Sequence, residues 1–303
     1  MSVVVIYSVL LIGVLSISSA AIMIRMIDAP ALAIVFYRLA IAGLMITPIA
    51  MVRGYGNRLS KTSVHFIWYL VAAVALAVHF SAWTMSLEHT SVISSVVLVT
   101  SSPLLVAMGS FLAFRERISR FVMAGIVLGV VGGGVLTIGD FVAGGNQLYG
   151  DMLAMLGSVS IAVYYLVGRK VRQEISNLRY IFGVYGWASL IVFGVVILTC
   201  TRISGFSHSS YALILLVAIL PQLIGHSALN WALGHISATL VALAIMAEPV
   251  IATWLAWIVL EEIPPATSIV GGGILILGVF KRSKKSFESK SPIKGCPGIK
   301  PII

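Results

Sequence analysis

Long apolar stretches separated by short polar segments run along almost the whole chain. A membrane-spanning helix needs about 20 mostly apolar residues, and ten stretches approach or exceed that length. They cover residues 3–24, 31–52, 64–87, 91–113, 120–139, 150–168, 178–200, 209–233, 236–260 and 265–280. The pattern therefore predicts an all-α polytopic membrane protein with ten transmembrane helices. The first stretch lacks the basic start of a signal peptide and is interpreted as a true span.

The composition agrees with a lipid environment. Hydrophobic residues make up 59% of the chain and charged residues only 10%, against about 25% charged residues in soluble proteins. The two cysteines, Cys200 and Cys296, fit neither a disulfide framework nor a metal site. The net charge of +10 does not indicate nucleic-acid binding, because the basic residues form no stripe with interleaved aromatic residues.

The basic residues instead predict the orientation. If the N-terminus lies in the cytoplasm, all but three of the 20 basic residues fall in inner loops or the C-terminal tail. The exceptions are Arg25, Arg38 and Arg202. By the positive-inside rule, we expect both termini of the multi-pass chain to be cytoplasmic, in the cell inner membrane.

The sequence also contains an internal repeat at an offset of 146 residues. The matched pairs are Leu87 with Leu233, His89 with His235, Ser91 with Ser237, Pro103 with Pro249, Glu116 with Glu262, Gly125 with Gly271, and Gly132 with Gly278. Each half holds five predicted spans, and an odd number inverts the second half relative to the first. Inverted repeats are common in secondary transporters, whose substrate sites lie near the membrane midplane.

Each half resembles an EamA domain of the drug/metabolite transporter superfamily. The resemblance is carried by SVISSVVLVTSSPLLVAMGSFLAFRERISRFVMAGIVLGVVGGGVL (91–136), by SATLVALAIMAEPVIATWLAWIVLEEIPPATSIVGGGILILGVF (237–280) and by FYRLAIAGL (36–44). It implies one repeat over residues 1–140, a second over 148–280, and a central cavity. The basic tail, 281–303, lies outside it and is predicted to be disordered. The resemblance also implies transport of small metabolites, often export of amino acids.

Polar residues within spans are the candidates for substrate binding, because they are costly in lipid. Glu248 lies mid-span before Pro249, and Ser102 before Pro103 is its counterpart in the first half. Glu248 either binds a substrate amine or a proton, or bonds backbone groups freed at the proline. The remaining cavity candidates are Arg38, His79, Trp83, Tyr164, Tyr165, Gln222, His226 and Asn230. For each of them a purely structural role stays open: packing or interhelical hydrogen bonding in general, and for Arg38 snorkelling to the outer surface or a structural ion pair.

Together these features predict a secondary transporter of amino acids or similar metabolites that works by alternating access. The expected partners are a small-molecule substrate, the lipid bilayer and, as a candidate coupling ion, the proton. A single pseudo-symmetric chain favours a monomer or weak dimer. No catalytic residues, cofactor or metal site are predicted; the phosphate-loop Lys-Ser/Thr is missing, and His79 and His226 lack an accompanying cysteine or carboxylate cluster. The alternatives are a lipid flippase, or a membrane-embedded enzyme or sensor without solute transport.

Overall fold

The computed structural model describes residues 2–54, 63–115 and 145–262, together with residues 123, 124, 126, 127 and 131. Within the three continuous ranges every regular element is helical. The elements are α1 (Val3–Ser18), α2 (Ala20–Arg25), α3 (Ala31–Val52), α4 (Ser63–Ser86), α5 (Val92–Val99), α6 (Ser102–Phe114), α7 (Asn146–Val171), α8 (Asn177–Leu198), α9 (His208–Val217), a π-helical segment (Ala218–His226), α10 (Ser227–Leu233), α11 (Ala238–Ile245) and α12 (Glu248–Leu260).

These elements make eight helices long and apolar enough to cross a membrane. Four of them each coincide with one helix over all or most of its length, namely α3, α4, α7 and α8. Each of the other four is a rod of consecutive helical elements in line: α1–α2, α5–α6, α9 to α10 through the π-helical segment, and α11–α12. Eight of the ten predicted spans are thus confirmed by length and composition, with ends within a few residues. The predicted spans at 120–139 and 265–280, and the tail, lie outside the continuously described ranges.

The bundle carries apolar side chains on its outer surface and polar ones inside. Leu44, Leu112 and Trp254 are each more than 60% exposed, while Arg38 and Glu248 are 1% and 7% exposed. A soluble protein would not expose so much contiguous apolar surface. Lipid is the solvent that makes this arrangement favourable, because it costs nothing to leave leucine against hydrocarbon but much to leave a charge there.

The 146-residue offset found in the sequence recurs in the helix bounds. Adding it to the bounds of α3, α5 and α6 reproduces those of α8, α11 and α12. Ser91 and Ser237 each cap the following helix with a side chain that accepts a backbone N–H three residues on. Arg115 and Glu261 both end their helices in the left-handed region, at φ 52° and 57°. The local geometry therefore repeats along with the residues.

Helices from the two halves pack against each other rather than forming separate bundles. α4 packs along α7, α3 along α8, and α1 along the π-helical segment and α10. Two further contacts between the halves are α6 with α11 and α5 with α12, which are equivalent to each other under the 146-residue offset. The polar residues of both halves consequently meet in one shared interior.

Arginine side chains clamp the helix ends at both ends of the described bundle. The Arg25 guanidinium donates a hydrogen bond to the backbone oxygen of Leu87, just after α4 ends. Arg169 Nη1 donates to the backbone oxygen of Leu233, at the end of α10, at 3.1 Å. Leu87 and Leu233 are themselves partners at the 146-residue offset, and a cation near a helix C-terminus is favourable. We call these contacts the Arg25 clamp and the Arg169 clamp.

Gly225 allows the π-helical segment to approach α1 closely. A Cβ atom at this position would lie 2.6 Å from Ile17 Cγ2 and 3.3 Å from the Gly13 backbone oxygen. Gly225→Ala is therefore expected to destabilise the fold by about 1–3 kcal/mol through overpacking, seen as a lower midpoint of thermal unfolding in detergent.

Gly186→Ala in α8 is the matched control, since a Cβ there would meet nothing within 4 Å. It should leave the midpoint unchanged or raise it slightly, because alanine is the better helix former. Equal effects of the two substitutions would show that the close approach at Gly225 does not limit stability.

Candidate functional site

Two helix interruptions bring polar residues to the middle of the bundle. The α5–α6 rod breaks at Thr100 and Ser101 and resumes at Ser102, with Pro103 in the first turn. The α11–α12 rod breaks in the same way and resumes at Glu248, with Pro249 in the first turn. Proline is well tolerated there, because the first turn of a helix has no use for its missing N–H. Glu248 thus stands at a helix N-terminus, where the helix dipole favours a negative charge.

Both interruptions face a central cavity, which we define by its polar lining. The predicted candidates on its walls are Arg38, His79, Trp83, Ser102, Tyr165, His226 and Glu248. Apolar side chains including Ile17, Ile161 and Ile245 complete it. Its volume is about 30 Å³, counted as the space that the centre of a water molecule can reach. That is room for on the order of two water molecules, so the cavity is small in this conformation.

Arg38 is the most deeply buried charge that lines the cavity. Its Nε donates to Gln222 Oε1 at 2.7 Å, and its guanidinium lies 3.8 Å from the centre of the Phe80 ring. Nη1 and Nη2 have no hydrogen-bond partner. Arg38 and Glu248 therefore share the cavity without a hydrogen bond between them. Two donor groups of a buried cation remain available, which is an expensive arrangement unless something else binds them.

The π-helical segment separates three residues, Gln222, His226 and Asn230, whose spacing of four would place them on one face of a regular α-helix. Pro221 lies within the segment, whose wider turns shift the angular spacing of the side chains. His226 lines the cavity, while Gln222 is fully buried and holds Arg38. Asn230 does not line the cavity; its amide lies near the hydroxyls of Tyr164 and Tyr185. Gln222, His226 and Asn230 thus occupy three different environments.

Aromatic and histidine rings form one wall of the cavity. The His79 and Trp83 rings are stacked with 8° between their planes and centres 6.2 Å apart. His79 Nδ1 is 2.9 Å from the backbone oxygen of Gly157, which fixes its ring. The His226 ring lies edge-on to His79 at 6.4 Å. Among the described residues, no three His, Cys, Asp or Glu side chains lie close enough together to hold a metal ion.

Neighbouring tyrosines in α7 face different places. Tyr165 lines the cavity, whereas Tyr164 does not; it packs against Tyr180 with ring centres 6.2 Å apart. Sequence reasoning missed Phe80, Tyr180 and Tyr185, because aromatic residues on apolar helices carry no mark of a polar neighbour. It also missed Gln222 as the partner of Arg38, since that contact joins residues 184 positions apart.

Comparison with known proteins identifies the family. The model of the EamA-like transporter family matches this chain twice, over residues 4–138 and 148–281. The chain belongs to the EamA-like transporter family. This confirms the resemblance stated from the sequence, and it makes the protein a transporter-family member rather than an enzyme.

Individual EamA relatives are distant but cover most of the chain. The pseudopaline exporter CntI of Pseudomonas aeruginosa strain UCBPP-PA14 is 26% identical over 84% of this chain and 88% of its own length. An uncharacterized transporter of Archaeoglobus fulgidus is 24% identical, with the same shares covered. A protein of known crystal structure aligns with a TM-score of 0.74 and 17% identity, over 96% of this chain and all of its own. That likeness supports the fold alone.

Proposed function

We propose that this EamA protein is a secondary transporter that exports small zwitterionic metabolites, of the amino-acid class, across the cytoplasmic membrane. The observation that carries the proposal is the pair of buried ionisable groups in one cavity, the basic Arg38 and the acidic Glu248, with no hydrogen bond between them. A zwitterion would supply the missing partner of each.

The chemistry of the two groups suggests how the substrate lies. The free Nη1 and Nη2 groups of Arg38 form a planar fork that matches a carboxylate. The Glu248 carboxylate suits an ammonium group. Between them, Trp83 and Tyr165 offer ring faces for an apolar side chain of the substrate. Arg38 and Glu248 interact electrostatically across the cavity, but each gains a directly hydrogen-bonded partner of opposite charge only when the substrate is bound, which favours a solute carrying both groups over one carrying neither.

The small cavity fits a contracted conformation within alternating access. An amino acid cannot enter a space that holds on the order of two water molecules, so helices must separate for substrate to arrive or leave. Both the Arg25 clamp and the Arg169 clamp are closed in this conformation. Transport then requires one clamp to open while the other remains closed.

Residues 1–280 are proposed to contain ten spans in two inverted halves, 1–140 and 148–280, with both termini and the tail in the cytoplasm. This rests on the two family matches, the repeated helix bounds and the distribution of basic residues. The direction of export is supported by the similarity to the Pseudomonas pseudopaline exporter, and the cytoplasmic membrane by the similarity to bacterial transporters. A monomer or weak dimer would suffice, and Glu248 is the candidate site for proton coupling.

Counterflow into liposomes that contain only the purified protein tests the proposal. Liposomes loaded with one unlabelled amino acid are placed in a trace of its labelled form, and a pooled panel of amino acids and their derivatives is screened. We expect transient accumulation of label for at least one zwitterion. Accumulation of amines or carboxylic acids alone, with no zwitterion transported, would contradict the assignment of the two charges.

A further inference from the structure

Two ring nitrogens on the wall of the central cavity lack hydrogen-bond partners. Trp83 and His226 both line the cavity, and they are only 4% and 6% exposed. Among the described residues, no group pairs with Trp83 Nε1 or with His226 Nδ1. An indole N–H usually finds a partner when it is buried, and native proteins keep few exceptions. The two nitrogens therefore indicate a partner that binds in another conformation.

Packing holds both rings in fixed orientations. The Trp83 ring is stacked with that of His79, whose Nδ1 donates to the backbone oxygen of Gly157 at 2.9 Å. The His226 ring stands edge-on to the Phe80 ring, with 86° between the planes and centres 5.0 Å apart. Neither ring can turn toward another protein group without losing these contacts. Groups that are held in place in this way lose little conformational freedom when a ligand binds to them.

A purely structural role does not explain the Trp83 nitrogen. A phenylalanine ring would stack with His79 without leaving a buried donor unpaired. Tryptophans that anchor a membrane protein lie at the membrane–water interface, and Trp254 and Trp257 are exposed enough for that, at 65% and 52%. Trp83 is too deeply buried to act as such an anchor. What its indole adds at this position is a hydrogen-bond donor on the wall of the cavity.

The two unpaired nitrogens lie beside the group that we assign to the substrate carboxylate. The Phe80 ring contacts both the Arg38 guanidinium, at 3.8 Å from its centre, and the ring of His226. The His79 ring lies between His226 and Trp83, with centres 6.4 Å and 6.2 Å away. A substrate whose carboxylate binds Arg38 therefore has this wall of rings within reach of its side chain.

The balance of charge in the cavity indicates that the side chain is neutral. In the proposed binding mode, Arg38 and Glu248 pair with the carboxylate and the ammonium group of the substrate. A further full charge on the substrate would be buried without a counter-charge among the described lining residues. A neutral acceptor, such as a carboxamide or a hydroxyl, avoids that cost and can receive the Trp83 N–H. The apolar stem of the same side chain can still lie against the ring faces of Trp83 and Tyr165.

We infer that Trp83 and His226 form a side-chain subsite of the central cavity, which selects zwitterions whose side chain ends in a neutral hydrogen-bond acceptor. The inference rests on the proposed function and narrows its substrate class. The cavity must expand to admit a substrate, and the residues on its wall are the ones that expansion uncovers. Trp83 Nε1 then donates to the acceptor, and His226 Nδ1 pairs with the same polar group in the role that its tautomer allows.

Pairs of amino acids with nearly equal shape test the subsite. Asparagine is compared with leucine, and threonine with valine, because each pair differs mainly in its polar atoms. The rise of the thermal midpoint with ligand concentration gives an apparent Kd for each in detergent, and competition in counterflow gives KM. In the better-bound pair, we expect the polar member to bind about tenfold more tightly, since its apolar partner leaves the buried donor unpaired. Aspartate, the charged counterpart of asparagine, should bind more weakly than asparagine.

Trp83→Phe keeps an aromatic ring and removes the N–H, so the preference within each pair should nearly disappear while the apolar member still binds. The ratio within a pair cancels the loss of ring volume, which affects both members, and a packing role would not change it. Trp254→Phe is the matched control, because it makes the same change at a position that is 65% exposed, and it should leave the preference unaltered. His226→Phe is the second variant, should the first fail to fold, and it should also weaken the preference.

The outcomes separate the subsite from the transport function. An unchanged preference in Trp83→Phe, or tighter binding of the apolar members by the unchanged protein, would overturn the subsite even if zwitterions are transported. Tighter binding of aspartate than of asparagine would overturn the neutral assignment. If the polar members bind selectively but no counterflow occurs, the proposed function fails and the subsite stands. If no amino acid binds or is transported, both are wrong.

Discussion

Glu248→Gln is expected to abolish most substrate counterflow, with a loss on the order of a hundredfold. The substitution keeps the size of the side chain and its place at the start of α12. It removes the carboxylate that we assign to the substrate ammonium, leaving that buried cation unpaired in the cavity. Initial rates of counterflow at saturating and subsaturating substrate measure the effect, and the thermal midpoint reports on folding.

Glu261→Gln is the matched control, because it makes the same chemical change just beyond the end of α12. Its counterflow should match that of the unchanged protein. The pH dependence of counterflow separates substrate binding from proton coupling at Glu248. If Glu248→Gln transports at the normal rate with an unaltered pH profile, neither role belongs to this residue.

Arg38→Lys is expected to raise KM for zwitterionic substrates by about 10- to 100-fold. Lysine keeps the charge but loses the planar fork, whose Nη1 and Nη2 are the free donors in the cavity. It also loses the Nε contact that positions the group against Gln222. KM for the amino acid and for its methyl ester would be compared, because the ester lacks the carboxylate that the fork recognises.

The effect of Arg38→Lys should be confined to carboxylate-bearing substrates. Arg53→Lys, at an exposed position after α3, is the control and should leave KM unchanged. Arg38→Met tests folding separately, since replacing a buried charge with an apolar residue of similar size is often neutral or stabilising. A proportional rise in KM for acid and ester alike would show that Arg38 shapes the cavity without binding the carboxylate.

Hydropathy was sufficient to place eight spans, because the cost of burying polar groups in lipid makes each apolar run unambiguous. It also gave the interior direction of Glu248, for the same reason, whereas for Arg38 it left snorkelling to the outer surface open. Which polar side chains face the cavity, and which face other helices, was harder to predict from the sequence. The π-helical segment changes which residues share a face, so Asn230 falls among the tyrosines and His226 at the cavity.

Contacts between the two halves were beyond sequence reasoning. The Arg38–Gln222 hydrogen bond depends on how α3 meets the π-helical segment, and no periodicity in either helix encodes that. The different positions of Tyr164 and Tyr165 relative to the cavity depend likewise on how α7 is rotated about its axis. Two adjacent tyrosines look equivalent in the sequence, but only one reaches the cavity.

The Arg25 and Arg169 clamps have a consequence for how the carrier rests between cycles. Each opposes the opening of one end, so the balance between outward-open and inward-open populations depends on the difference in their strengths, not on either alone. A difference of only about 1.4 kcal/mol shifts that balance tenfold. Small changes at either arginine, far from the substrate, would therefore determine whether the unloaded protein is mostly outward-open or mostly inward-open.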